Sequence, residues 1–225
     1  MINAKGLDVS HWNTVKWLIW KEQGYVFCWI KVSERTDWVD PKWMLHYDDS
    51  SQQSFFKGPY HYFRVEYNGA LQAQHFYTEC QKRAWDLPPM VDVEKRNNAG
   101  LVSKAVFAAR LRNFLFECER LFGVKPIIYT SLDSWSTLVG SAVWSTAYDL
   151  WVAHYTANPV PLIPNDWKAK GWKIWQYTST PLDQNRFNGD ENALREWAKI
   201  GSPALSLKER LAKLEVWART LGYEN

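Results

Sequence analysis

At 225 residues the chain can form one large α/β barrel or two small domains, and its 27 Lys+Arg and 24 Asp+Glu leave a formal net charge of +3. It has no basic run, and no apolar stretch approaches the ~20 residues that cross a bilayer, so neither nucleic acid nor membrane is an expected partner. Cys28, Cys80 and Cys118 are widely spaced and the five histidines form no HExxH-type pair, so no disulfide framework, metal or cofactor is expected.

The first segment, Met1–Gly6, has no apolar signal-type core and leads into a short strand, Gly6–Ser10, with Asp8 at its exit. Synthesis in the cytoplasm without a signal peptide is the expectation. An amphipathic segment, Val15–Gln23, stops at Gly24. Tyr25–Ser33 is a near-continuous apolar run of the kind that both faces of a sheet cover, and Glu34 ends it. Asp40-Pro41 opens a helical stretch. Gly58–Phe63 is a third strand, followed by Arg64, Glu66 and a helix over about Asn68–Trp85. Pro88–Glu94 is a fourth strand, ending in two acids. A long helix, Ser103–Phe122, stops at Gly123. Lys125–Thr130, Asp149–Tyr155 and Trp172–Thr178 are further strands, and Asp183–Phe187 a short eighth.

Strands alternating with helical segments imply βαβ units and a parallel sheet. Eight of them in about 200 residues point to a compact TIM-like (β/α) barrel. An open doubly wound sheet would carry a Gly-rich turn after its first strand, and Asp8-Val-Ser-His-Trp12 has no glycine. In a barrel the C-terminal strand ends share one rim, and that rim carries the chemistry. The candidates there are Asp8, Glu34, Tyr62, Arg64, Asp92, Glu94, Tyr129, Tyr155, Trp175, Gln176 and Asp183. Asp92 and Glu94 share one strand face, roughly 6.6 Å apart at Cα, close enough to resist ionising together. Of the fifteen tryptophans, most are expected in the core and a few along a groove where indole faces can stack on sugar rings.

Seven segments, in order from Gly6 to about Gly189, resemble glycoside hydrolase family 25: Gly6–Trp12, Ile30–Glu34, Gly58–Tyr62, Pro88–Glu94, Pro126–Thr130, Leu150–Tyr155 and Trp175–Tyr177. The resemblance implies a flattened β/α barrel with irregular later helices. It implies cleavage of the β-1,4 bond between N-acetylmuramic acid and N-acetylglucosamine in peptidoglycan. It also implies that Glu94 is the general acid, Asp92 its partner, and Asp8 and Asp183 the flanking acids. Arg35 stands where the family usually has glycine, and the Tyr177–Asp183 connection is shorter than usual. Phage-type release, or a place in a virion, would bring such an enzyme to the wall. A binding module or a chitinase-like hydrolase on the same fold are the alternatives.

Because Asp92 and Glu94 lie on one strand face, they cannot straddle a sugar as a paired acid and base do. Two routes remain. Asp92 orients the substrate's 2-acetamido group for attack on the anomeric carbon, or Asp183 or Asp8 activates water. The barrel is expected over residues 1–200 and a linker with an amphipathic C-terminal helix over 201–225. Ser206–Glu209 reads as a capping box, and Leu207, Leu211, Leu214, Ala218 and Leu221 form a two-heptad stripe, so residues 206–221 are expected to dock on the barrel or to self-associate.

Overall fold

The computed structural model describes residues 3–200; the stripe at 206–221 and its proposed self-association lie outside the described residues. The strands are β1 (Lys5–Val9), β2 (Tyr25–Glu34), β3 (Trp38–Val39), β4 (Phe56–Tyr62), β5 (Met90–Asp92), β6 (Ile127–Ser131), β7 (Asp149–Ala153), β8 (Ile174–Thr178) and β9 (Asp183–Phe187). Neighbours run β1-β9-β8-β7-β6-β5-β4-β2, and a β1–β2 pairing closes the circle into an eight-stranded barrel, with β3 hairpinned onto the end of β2. The helices are α1 (Trp17–Glu22), α2 (Trp43–Gln52), α3 (Gly69–Cys80), α4 (Lys104–Phe122), α5 (Leu132–Leu138) and α6 (Glu191–Ala198).

The α/β barrel expected from the alternation is present, but the sheet is mixed rather than parallel. β9 runs antiparallel to both β8 and β1. The period-2 side-chain pattern is identical in parallel and antiparallel strands, so it carries no direction; the short Ser179–Leu182 connection joining β8 to β9 does, because a parallel neighbour needs a crossover of a dozen or more residues. The helical half of the alternation also fades late in the chain. Between β7 and β8 there is only a single 3₁₀ turn, Asn165–Trp167.

Alternation along each strand builds two cores. Phe27, Trp29, Tyr60, Met90, Ile127, Tyr129, Trp151, Ile174 and Phe187 fill the barrel. Their neighbours Cys28, Ile30, Val32, Val91, Ile128, Leu150 and Val152 face outward against helix residues such as Phe76, Leu111 and Phe114. Close packing of large rings inside requires small residues opposite. A Cβ on Gly58 would lie 2.3 Å from the Trp29 indole nitrogen, and one on Gly6 1.9 Å from the Phe27 ring.

The long helices are capped as their sequences demand. Asn68 accepts from the Leu71 amide at 3.1 Å, Ser103 from that of Val106, and α4 ends at Gly123 in the left-handed conformation. These caps fix α3 and α4, which pack on each other and against the β2–β4 side of the barrel, where His61 stacks on Phe114. The apolar interior stops at the level of Tyr60 and Tyr129. Above it the inward positions turn polar, and that change of chemistry on continuous strands creates the site.

Candidate active site

The rim at the C-terminal ends of the parallel strands encloses a cleft of about 490 Å³. The inward alternation continues into it: Asp8 from β1, Lys31 from β2, Tyr62 from β4, Asp92 from β5 with Glu94 two residues on, Tyr129 from β6, and Gln176 from β8, while Glu34 joins them past a register shift in β2 between Lys31 and Ser33. Because β9 is antiparallel, its first residue rather than its last lies on this rim. Asp183 is thereby paired directly across from Asp8.

Asp8 is held by two donors. Gln176 Nε2 and Asn185 Nδ2 both donate to its Oδ2, at 2.9 and 2.7 Å. Gln176 is fixed in turn, since its Oε1 accepts from the hydroxyls of Tyr129 at 2.9 Å and Tyr155 at 2.6 Å. Asp92 is different. Its Oδ1 is buried without a hydrogen-bond partner among the described residues. Such an atom carries a desolvation cost until something supplies a partner.

Burial dominates the electrostatics. It pushes Asp8 up to about 6, with the bonds from Asn185 and Gln176 working against it and the charge of Glu94 adding to it. Asp183 rises to about 8 through burial and then through the charges of Asp8 and Glu94. Asp92 is raised well above the carboxylate range by burial and by Glu94. Glu94 is raised by burial, against the opposing pull of Lys31, Arg96 and a bond from Tyr129. Four acids that all resist ionisation share their charge, so the cluster retains protons near neutral pH. For Glu34 burial acts upward, but Lys31 at 2.9 Å and Arg64 at 3.0 Å outweigh it and hold the group below its ordinary value.

Of the residues proposed from sequence, Asp8, Glu34, Tyr62, Asp92, Glu94, Tyr129, Tyr155, Gln176 and Asp183 line the cleft. Two do not. Arg64 stands behind Glu34, bridging it to Glu66 at 2.6 Å. Trp175 is buried in the outer core, its indole donating to the His154 carbonyl at 2.7 Å. Its position follows from strand parity: with Gln176 pointing inward, its neighbour must point out.

Several cleft residues were not singled out from sequence. Lys31 lies inside an apolar run, yet Phe27, Trp29 and Lys31 alternate onto one face, and its ammonium sits 4.9 Å from the Trp38 ring centre and 4.7 Å from that of Tyr62. Trp38 arrives on the β3 hairpin, whose two-residue strand leaves no periodicity to detect. His11 is anchored to Asp40 through its backbone amide and Nδ1, at 2.9 and 2.8 Å, which sets the adjoining Trp12 at the mouth of the cleft, 80% exposed. Among the described residues, Trp12 and Trp38 are the two tryptophans on the cleft wall.

Residues 7–185 match the model of glycosyl hydrolases family 25. Lysozyme M1 of Streptomyces globisporus is 28% identical over 204 residues, spanning 83% of this chain and 68% of that protein. An N,O-diacetylmuramidase of Arthroderma benhamiae is 26% identical, over 88% of each chain. A family GH25 lysozyme from Aspergillus fumigatus has a similar structure, with a TM-score of 0.81 and 29% identity over 88% of this chain and 99% of that one. With the matched region running through every strand of the barrel, the chain belongs to glycosyl hydrolases family 25 and is a glycoside hydrolase.

Proposed function

We propose that this hydrolase is a lysozyme of the 1,4-β-N-acetylmuramidase type, cleaving between N-acetylmuramic acid and N-acetylglucosamine in the peptidoglycan of bacterial walls. The observation that carries this is the cluster of Asp8, Asp92, Glu94 and Asp183 around one cleft, with Asp92 Oδ1 left unpartnered. Glu94 is the general acid. Burial raises its pKa, so it holds a proton to give the leaving oxygen.

Asp92 serves the substrate's acetamide. An N–H of a 2-acetamido group supplies the partner that Oδ1 lacks, turning the carbonyl oxygen toward the anomeric carbon. The bond to the leaving oxygen breaks as the acetamide oxygen bonds to carbon; Glu94 donates its proton to the leaving group, then takes one from the water that opens the cyclic intermediate. Asp8, tied to Gln176 and Asn185, and Asp183 line the opposite wall. Tyr62, Tyr129, Tyr155 and Gln176 give the sugars hydroxyl, amide and ring contacts. Glu34 and Arg64 act by holding Lys31 in place, not by touching sugar.

Lysis of purified peptidoglycan, followed by turbidity with chitin as the control, tests the substrate. Clearing of the wall preparation alone is expected, and cleavage of chitin alone would overturn the proposal. NMR of the first-formed anomer tests the route: acetamide participation yields the β-anomer first, while an initial α-anomer would mean direct water attack, with Asp183 or Asp8 as its base.

A further inference from the structure

We propose that Arg35 and Arg96 form an anion subsite in the cleft wall, which binds a carboxylate carried by the glycan strand in addition to the sugars themselves. The inference rests on the muramidase reading, since a chitin-type strand has no such group.

Two observations set these arginines apart from the other cations near the cleft. The first is that their terminal guanidinium nitrogens have no partner among the described residues. Lys31 is paired with Glu34, and Arg64 with Glu34 and Glu66. Arg96 also lines the cleft, yet its guanidinium makes no ion pair or hydrogen bond among the described residues. Arg35 has a single contact, Nε to the exposed Asp37 at 3.2 Å, which leaves both terminal nitrogens available for a bidentate acceptor. The second is the backbone that presents them. Arg35 itself has φ of 57°, and Asn97, beside Arg96 and also on the cleft wall, has φ of 63°. The left-handed conformation costs a residue such as Arg35 roughly 1 kcal/mol or more and persists where something else is gained, whereas asparagine adopts it readily.

The position suits the chemistry. Arg35 follows β2 and Arg96 follows β5, so the pair occupies the β2–β4–β5 arc, opposite Tyr155 and Gln176 in strand order. A strand lying across the cleft between these walls presents its substituents to both. Neutral sugar hydroxyls do not require two guanidinium groups with free terminal nitrogens. A muramyl residue carries a carboxylate, either on its lactyl ether or on the peptide attached there. Arg96 also acts electrostatically on Glu94, pulling its proton affinity down. An anion docked on Arg96 cancels that pull, so the correct substrate helps the acid to keep its proton.

The test uses soluble peptidoglycan strands in three forms: with peptides, stripped by an amidase to leave lactyl carboxylates, and with every carboxylate converted to a neutral amide. The wild-type chain is expected to cut the carboxylate-bearing strands with kcat/KM on the order of tenfold above the neutral ones, an advantage that shrinks with salt. Whether peptide-bearing or stripped strands keep the advantage identifies which carboxylate is bound. Arg96→Gln combined with Arg35→Gly, which relieves the left-handed backbone, should abolish the advantage through KM while kcat on neutral strands stays within about twofold. Arg96→Lys with Arg35→Lys should restore part of it. In wild type the alkaline limb of the kcat profile, which reports the enzyme–substrate complex, should lie higher in pH for charged strands than for neutral ones. Equal cleavage of charged and neutral strands by the wild type, or an advantage that survives in the double variant, overturns the subsite and leaves the muramidase reading standing. Cleavage of no strand overturns both.

Discussion

Glu94 and Asp92 stand two residues apart on one wall of the cleft, and the proposed mechanism gives each a different role. Glu94→Gln keeps shape and hydrogen-bonding capacity but removes the proton, so wall lysis should fall by about 10²–10⁴-fold while the thermal midpoint changes little. Near-normal lysis by that variant would take Glu94 out of the mechanism. The acids opposite carry a signature in stability. Asp183 is raised from 3.8 to about 8 in the folded chain, and Asp8 to about 6. The unfolded chain therefore releases these protons at lower pH than the native one does. Their contribution to stability is complete below pH 3.8 and is lost as pH rises through about 6 for Asp8 and about 8 for Asp183. Thermal midpoints measured from pH 5 to 9 should fall, and Asp183→Asn should flatten the upper part of that fall. An unchanged slope in the variant would mean that Asp183 titrates like an exposed carboxylate.

At the scale of the strand, the same alternation explains both the packing and the site. Phe27 and Trp29 point into the barrel and Lys31, next on that face, points into the cleft; Met90 and Asp92 do the same on β5. The acids were legible in the sequence because a polar residue at the end of an apolar run has few other reasons to be there. Lys31 was not, because a cation within such a run reads as a break in the pattern until its inward parity is counted. Trp175 went the other way: it adjoins the cleft residue Gln176 on β8, but parity turns it outward. The direction of β9 was hidden by a periodicity common to both senses of pairing. Interior packing gives its own prediction. Gly58→Ala would press a methyl group into the Trp29 indole, so it should destabilise the fold by about 1–3 kcal/mol in denaturant unfolding. Full stability in that variant would mean that the barrel interior has room to spare.

For the molecule as a whole, barrel closure places β1 and β9 side by side, and so brings Asp8 and Asp183, 175 positions apart in the chain, into register. No local pattern could supply that pairing; the strand reading put both acids on one rim, and the family resemblance implied that they flank the cleft. The closed ring also sets acids on facing sides of the cleft, Asp8 and Asp183 on β1 and β9 and Asp92 and Glu94 at β5, with aromatic and cationic groups around Trp12, Arg35 and Trp38 along the mouth. The most direct measurement is the identity of the new reducing end. Purified peptidoglycan digested by the enzyme, reduced with borohydride and hydrolysed, should yield muramitol by mass spectrometry. Glucosaminitol in its place would show that the other glycosidic bond is cut, and would contradict the account.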